Sequence, residues 1–138
     1  MEFSRRETLA LGLGAAVATV LPFRVSASAE DRIAAFTGGA EAAEGGVTLN
    51  APEIAENGNT VPISVEAPGA AEIMVLATGN PEPGVATFKF GPAAAQQTAS
   101  TRIRLASTQD VIAVARMADG SFARASATVK VTIGGCGG

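Results

Sequence analysis

The sequence predicts an all-β fold: an immunoglobulin-like antiparallel β-sandwich of about seven strands, behind a cleavable N-terminal signal and ahead of a flexible Gly-Gly-Cys-Gly-Gly arm. Three observations carry this. From Val47 onward, short apolar or alternating runs recur at roughly ten-residue spacing with turn signals between them. The first 29 residues have the layout of an export signal. The single cysteine of the 138-residue chain, Cys136, has two glycines on either side, where burial in a core is the usual fate of a lone thiol.

Residues 1–29 carry the pair Arg5-Arg6, an apolar run from Leu9 to Leu21 and a closing Ala27-Ser28-Ala29. A charged start, an apolar stretch too short for a membrane span and a small-residue cleavage motif make a signal peptide. The arginine pair points to the twin-arginine route, with Thr8 and Ala10 departing from the residues usual after it. Cleavage after Ala29 leaves Glu30–Gly138, which keeps 7 Lys/Arg and 11 Asp/Glu for a net charge of −4. In residues 30–46 the stretch Asp31–Phe36 predicts one or two helical turns stopped by Gly38-Gly39, and Glu41–Gly46 reads as loop.

Residues 47–133 form the expected sandwich. Thr60–Glu66 alternates, with Val61, Ile63 and Val65 on one face, and Pro62 marks an edge strand or a bulge because it has no N–H to donate. Glu72–Thr78 is apolar on both faces, as an inner strand would be. Gly79–Gly84 is loop by composition. Val85–Phe90, Thr98–Leu105, Val111–Ala118 and Phe122–Ile133 supply further strands, with Val129, Val131 and Ile133 expected to face the core. Asn57-Gly58 and Asp119-Gly120 suit tight hairpins whose central residues take positive φ.

The composition excludes several functions. There is no His, Trp or Tyr, so no Ser-His or Cys-His nucleophile pair and no imidazole metal ligand. One Cys permits no internal disulfide, Cys-rich zinc site or iron–sulfur cluster. Glu53, Glu56, Glu66, Glu72, Glu82, Asp110 and Asp119 are scattered singly and read as solvated surface charge. The expectation is a protein that is not an enzyme, with no cofactor and no metal. An acidic, thinly charged surface also argues against nucleic acid and, in the mature form, against an anionic membrane.

Residues 134–138 form the arm. The sheet is expected to hold the chain to Ile133 and release it at Gly134, leaving five residues that span about 17 Å when extended. Gly134 and Gly135 then act as a hinge, and Gly137 and Gly138 let the tip enter a narrow opening. Three readings of Cys136 follow: a working thiol, a disulfide to a partner subunit, or an incidental residue on a frayed end. A lipid site fits poorly, since a prenylation box needs three residues after the Cys and this chain has two.

The twin-arginine-type signal, PEIAENGNTVPISVEAP, GNPEPGVATFKFGP, TRIRLASTQDVIAVARMADGSF and the ending VKVTIGGCGG together resemble the SoxY family, sulfur-carrier subunits of the bacterial thiosulfate-oxidising (Sox) system. The resemblance spans nearly the whole chain in family order, and GGCGG is its most specific element. It implies an immunoglobulin-like fold, a periplasmic location and a heterodimer with SoxZ. It also implies that Cys136 anchors the sulfur being oxidised and meets SoxAX, SoxB and, where present, SoxCD in turn. The alternative is a structural sandwich subunit joined to a partner by a disulfide through Cys136. Sulfur-donor proteins of the ubiquitin type also end in Gly-Gly, but their fold needs a substantial helix packed on the sheet, and no such helix is read after Val47.

Overall fold

In the computed structural model, which describes residues 28–135, nine strands form two facing sheets with one short helix on the outer face of the larger. The elements are α1 (Ala29–Thr37), β1 (Ala43–Glu44), β2 (Thr48–Asn50), β3 (Ile54–Asn57), β4 (Val61–Glu66), β5 (Ala70–Ala77), β6 (Gly84–Lys89), β7 (Thr98–Ile103), β8 (Gln109–Met117) and β9 (Phe122–Ile133). The larger sheet runs β1-β9-β8-β5-β6, with β3 also on β9, and the smaller runs β2-β4-β7. Arg5, Arg6 and the rest of the export signal up to residue 27, together with Cys136, Gly137 and Gly138, lie outside the described residues.

The sandwich is therefore all-β as expected, with two corrections to its strand plan. There are nine strands among the described residues rather than about seven, and two pairings are parallel. At twelve residues, β9 is long enough to hold β1 beside its first half (Ala43 opposite Ala123) and β3 beside its second (Ile54 opposite Lys130). The stretch Glu41–Gly46, expected as loop, thus contributes a two-residue strand.

Both central strands are apolar on two faces, and the structure shows why. From β5 and β8, Ile73, Val75, Ala77, Val111, Ala113 and Ala115 point into the sandwich against Val61, Ile63, Val65, Ile103 and Leu105. The intervening Leu76, Ile112 and Val114 point outward, where Ala29 and Ile33 of α1 cover them with Phe36 and Met74. Period-two side-chain alternation sends successive residues to opposite faces. A strand buried on both sides must therefore read as continuous hydrophobicity.

The helix begins two residues earlier than the sequence predicts. Ser28 is its N-cap: its hydroxyl accepts from the Asp31 N–H at 3.2 Å, and Asp31 Oδ2 accepts from the Ser28 N–H at 3.2 Å. Gly38, in the left-handed region at φ 65°, ends it as expected. The processing site expected after Ala29 falls behind the first helical residue, on the far side of this cap.

Several local expectations change. Pro62 lies in β4, the middle strand of the smaller sheet, but β2 reaches only to Ser64, so Pro62 has a strand neighbour on the β7 side alone. Asn57-Gly58 is not a positive-φ hairpin: Gly58 is absent from the positive-φ glycines, and β3 and β4 belong to different sheets. Asp119-Gly120 does close the β8–β9 hairpin, with the Met117 N–H donating to the Ser121 carbonyl at 2.8 Å, but only Gly120, at φ 86°, takes the positive φ expected of both residues. In β9, Val129 is buried and Val131 half-buried, but Ile133 is 65% exposed and not a core residue. Glu72, read as surface charge, is buried and ion-paired to Arg116, with Lys89 at 4.0 Å.

Candidate functional site

The part of the expected site that the structure describes is the root of the arm, Ile133-Gly134-Gly135, where the end of β9 meets two loops. One is the turn after β3, around Gly58. The other is the connection from β7 to β8, residues 104–108. Three backbone hydrogen bonds join them: Gly58 N–H to the Ile133 carbonyl at 2.7 Å, Leu105 N–H to the Gly58 carbonyl at 2.8 Å, and Gly135 N–H to the Leu105 carbonyl at 2.8 Å. Leaving and rejoining the same stretch of chain, they form a closed backbone ring.

This ring explains the glycines in a way the sequence does not. A Cβ on Gly58 would overlap the Leu105 carbonyl oxygen and lie 2.8 Å from the Gly135 nitrogen and 2.9 Å from Val131 Cγ1. A Cβ on Gly134 would overlap the Ala106 carbonyl oxygen, and one on Gly135 would lie 2.8 Å from the Gly58 carbonyl oxygen. None of the three has positive φ. Glycine is required here because backbones approach too closely for any side chain. The expectation that the chain is released at Gly134 is thus corrected, since the Gly135 N–H is still held by the protein body.

Below the ring lies a buried polar pair that sequence reasoning did not single out. Asn80 and Gln109 are each 7% exposed. Asn80 Nδ2 donates to the Arg104 carbonyl at 2.8 Å, and its Oδ1 accepts from the Ala106 N–H at 3.0 Å and from Gln109 Nε2 at 2.8 Å. Gln109 Nε2 also donates to the Ser107 carbonyl at 2.9 Å, while its Oε1 accepts from the Gly79 N–H at 2.8 Å. The one signal available in the sequence is Gln109 itself, an amide at the inward-facing register of a strand that is otherwise apolar on that face.

Thr108 finishes the arrangement. Pairing of β8 with β9 begins at Gln109–Val129, and the Thr108 hydroxyl accepts from the Val131 N–H at 2.9 Å just beyond it. Side-chain charge near the root is exposed, as at Arg104 and Lys130. Among the described residues there is no cluster of three or more potential metal-ligating side chains, and no helix is long and apolar enough to cross a membrane.

Comparison with known proteins places the chain. Residues 33–136 match the family model of sulfur oxidation protein SoxY, and the chain belongs to that family. Among solved structures it is similar to the sulfur carrier protein SoxY from Chlorobium limicola f thiosulfatophilum. That likeness has 38% identity and a TM-score of 0.66, over 75% of this chain and 96% of the other. It is similar in fold to a superoxide reductase (neelaredoxin) from Ignicoccus hospitalis, at 16% identity and TM-score 0.56, over 63% of this chain and 80% of that one. No curated protein matches. Family and structural likeness together support a carrier role in sulfur oxidation.

Proposed function

We propose that this chain is a periplasmic sulfur carrier that binds oxidation intermediates covalently on Cys136 and presents them to partner enzymes. The observation that carries this is the family match, which runs through residue 136 and so includes the cysteine beside the glycine root. The sandwich is immunoglobulin-like, residues 1–29 direct export by the twin-arginine route, and Gly134 to Gly138 form the carrying arm, rooted through the Gly135 N–H on the Leu105 carbonyl. The partners are SoxZ as the stable second subunit, and SoxAX, SoxB and, where present, SoxCD as successive visitors.

The chemistry follows from the thiol. Oxidative coupling joins the Cys136 sulfur to the sulfane sulfur of thiosulfate, releasing one proton and passing two electrons to the haem partner. The product is Cys–S–S–SO3⁻. Water then cleaves the bond between sulfane and sulfonate sulfur, giving sulfate, a proton and a persulfide on Cys136. The nucleophile is the thiolate, and an unperturbed thiol has a pKa of about 8.5. The partner's pocket supplies the positive field that ionises it. Tethering keeps each intermediate at high local concentration for the next enzyme and prevents its loss by diffusion.

The test is the intact mass of the carrier after incubation with SoxZ, SoxAX, oxidant and thiosulfate. Wild type gains the thiosulfonate adduct, which SoxB converts to the persulfide. Cys136→Ser gains neither, because a serine hydroxyl without an activating base is a poor nucleophile. Loading of Cys136→Ser would end the carrier reading.

A further inference from the structure

We infer that Asn80 and Gln109 are positioning residues for the Cys136 thiol: the buried amide pair fixes Leu105, and Leu105 holds the last residue before the cysteine. The inference rests on the carrier reading for its functional meaning, while its geometry stands independently of it.

In extended backbone, the N–H and C=O of one residue point to one side and those of its neighbours to the other. Asn80 uses this alternation. Its side-chain amide grips the Arg104 carbonyl and the Ala106 N–H, the two groups on one side of Leu105. The Leu105 N–H and carbonyl are thereby turned to the opposite side, where they meet the Gly58 carbonyl and the Gly135 N–H. Gln109 fixes Asn80 in turn by donating to its Oδ1, and anchors itself to the Ser107 carbonyl and the Gly79 N–H. The Leu105 side chain, fully buried in the sandwich core, prevents the loop from rotating about its own axis.

The consequence concerns reach. Consecutive Cα atoms are about 3.8 Å apart, so with Gly135 held, Cys136 starts within one residue of a fixed point. If the Leu105 bond opens and the chain frees to Ile133, the tether becomes three residues, or about 10 Å. The amide pair therefore sets how far and from where the thiol is presented. A buried polar network is costly where a hydrophobic replacement would pack as well, and a fully satisfied one specifies a unique local arrangement. Here that arrangement fixes Leu105, whose carbonyl accepts from the N–H of Gly135, the residue that precedes the cysteine in the chain.

The experiment uses the full chain in complex with SoxZ and compares wild type with Asn80→Ala and Gln109→Met. Amide hydrogen exchange is read at Gly135 and, as an internal reference, at Val114 in the centre of β8. The expected result for Asn80→Ala is a loss of Gly135 protection of about tenfold relative to Val114, from the loss of the loop's paired hydrogen bonds. Gln109→Met, which keeps length but cannot donate, gives a smaller loss of the same kind and serves if Asn80→Ala does not fold. Alkylation of Cys136 by iodoacetamide should stay within about twofold of wild type, because a small reagent needs no fixed root. Enzymatic loading by SoxAX should fall with the Gly135 protection. Equal loss of protection at Gly135 and Val114, or none at Gly135 in a folded variant, would overturn the inference. Absence of any adduct on wild-type Cys136 would instead overturn the carrier reading and leave the exchange result standing.

Discussion

Replacing Gly58 with alanine should destabilise this protein more than its turn position suggests. The added Cβ overlaps the Leu105 carbonyl oxygen and crowds the Gly135 nitrogen at 2.8 Å and Val131 Cγ1 at 2.9 Å. Restoring ordinary contact requires the β7–β8 connection and the end of β9 to move away by about 1 Å, and interiors this closely packed resist that. The movement breaks or stretches the three backbone bonds of the ring, from Gly58 to Ile133, Leu105 to Gly58 and Gly135 to Leu105. At about 0.5–1.5 kcal/mol each, their loss comes to about 1.5–4.5 kcal/mol. For a domain of this size that lowers Tm on the order of 10–20 °C. The assay is urea unfolding of the complete chain, with Gly91→Ala as the control. Gly91 has no atom within 4 Å of its built Cβ and no positive φ. Its substitution should leave stability within about 0.5 kcal/mol. If Gly58→Ala matched Gly91→Ala within that margin, close backbone approach would not be the reason for glycine at this position.

Three further outcomes are expected. Glu72→Ala removes the buried partner of Arg116 and should cost about 1–2 kcal/mol; a double-mutant cycle with Arg116→Ala should show coupling of about 1 kcal/mol, and strict additivity would refute the pairing. Asp119 is held below its ordinary pKa of 3.8, first by the Ser121 hydroxyl and then by the Ser121 N–H, so its contribution to stability is present above the unfolded carboxylate range and is lost as pH falls through the depressed value. Ser121→Ala should raise the Asp119 pKa in an NMR titration, and an unchanged midpoint would contradict this cause. A chain beginning at Glu30 lacks both the Ser28 cap and the buried Ala29, and helix α1 should lose about 1 kcal/mol relative to a chain beginning at Ser28. The measure is amide exchange at Ile33, where equal protection in the two chains would show the cap to be dispensable.

The sequence by itself determined the strand-rich body and much of its strand order along the chain. Val61, Ile63 and Val65 alternate, so their common burial was legible from a period of two. The double-sided hydrophobicity of Glu72–Thr78 marked an inner strand, and Gly38 marked the end of the helix. The span of β9, Phe122 to Ile133, could be read residue for residue because its bounds are a glycine turn and a glycine run. These signals are local: side-chain periodicity and cap chemistry act within a few residues and leave their mark in the order of letters.

What only the tertiary structure decided is where distant backbones meet. Gly58, Leu105 and Gly135 lie on three separate stretches, and contact between peptide groups leaves no side-chain pattern to read. A glycine that serves close approach looks the same in sequence as one that serves a turn or a hinge, so Asn57-Gly58 reads as a hairpin and Gly134-Gly135 as a free joint. Glu72 likewise reads as surface charge until β8 brings Arg116 beside it. Asn80 reads as loop because its partners lie far along the chain, Arg104 and Ala106 in the β7–β8 connection and Gln109 at the start of β8. Hydrophobic patterning specifies which face of each strand is buried, while the packing of the two sheets alone brings those loops together at Gly135.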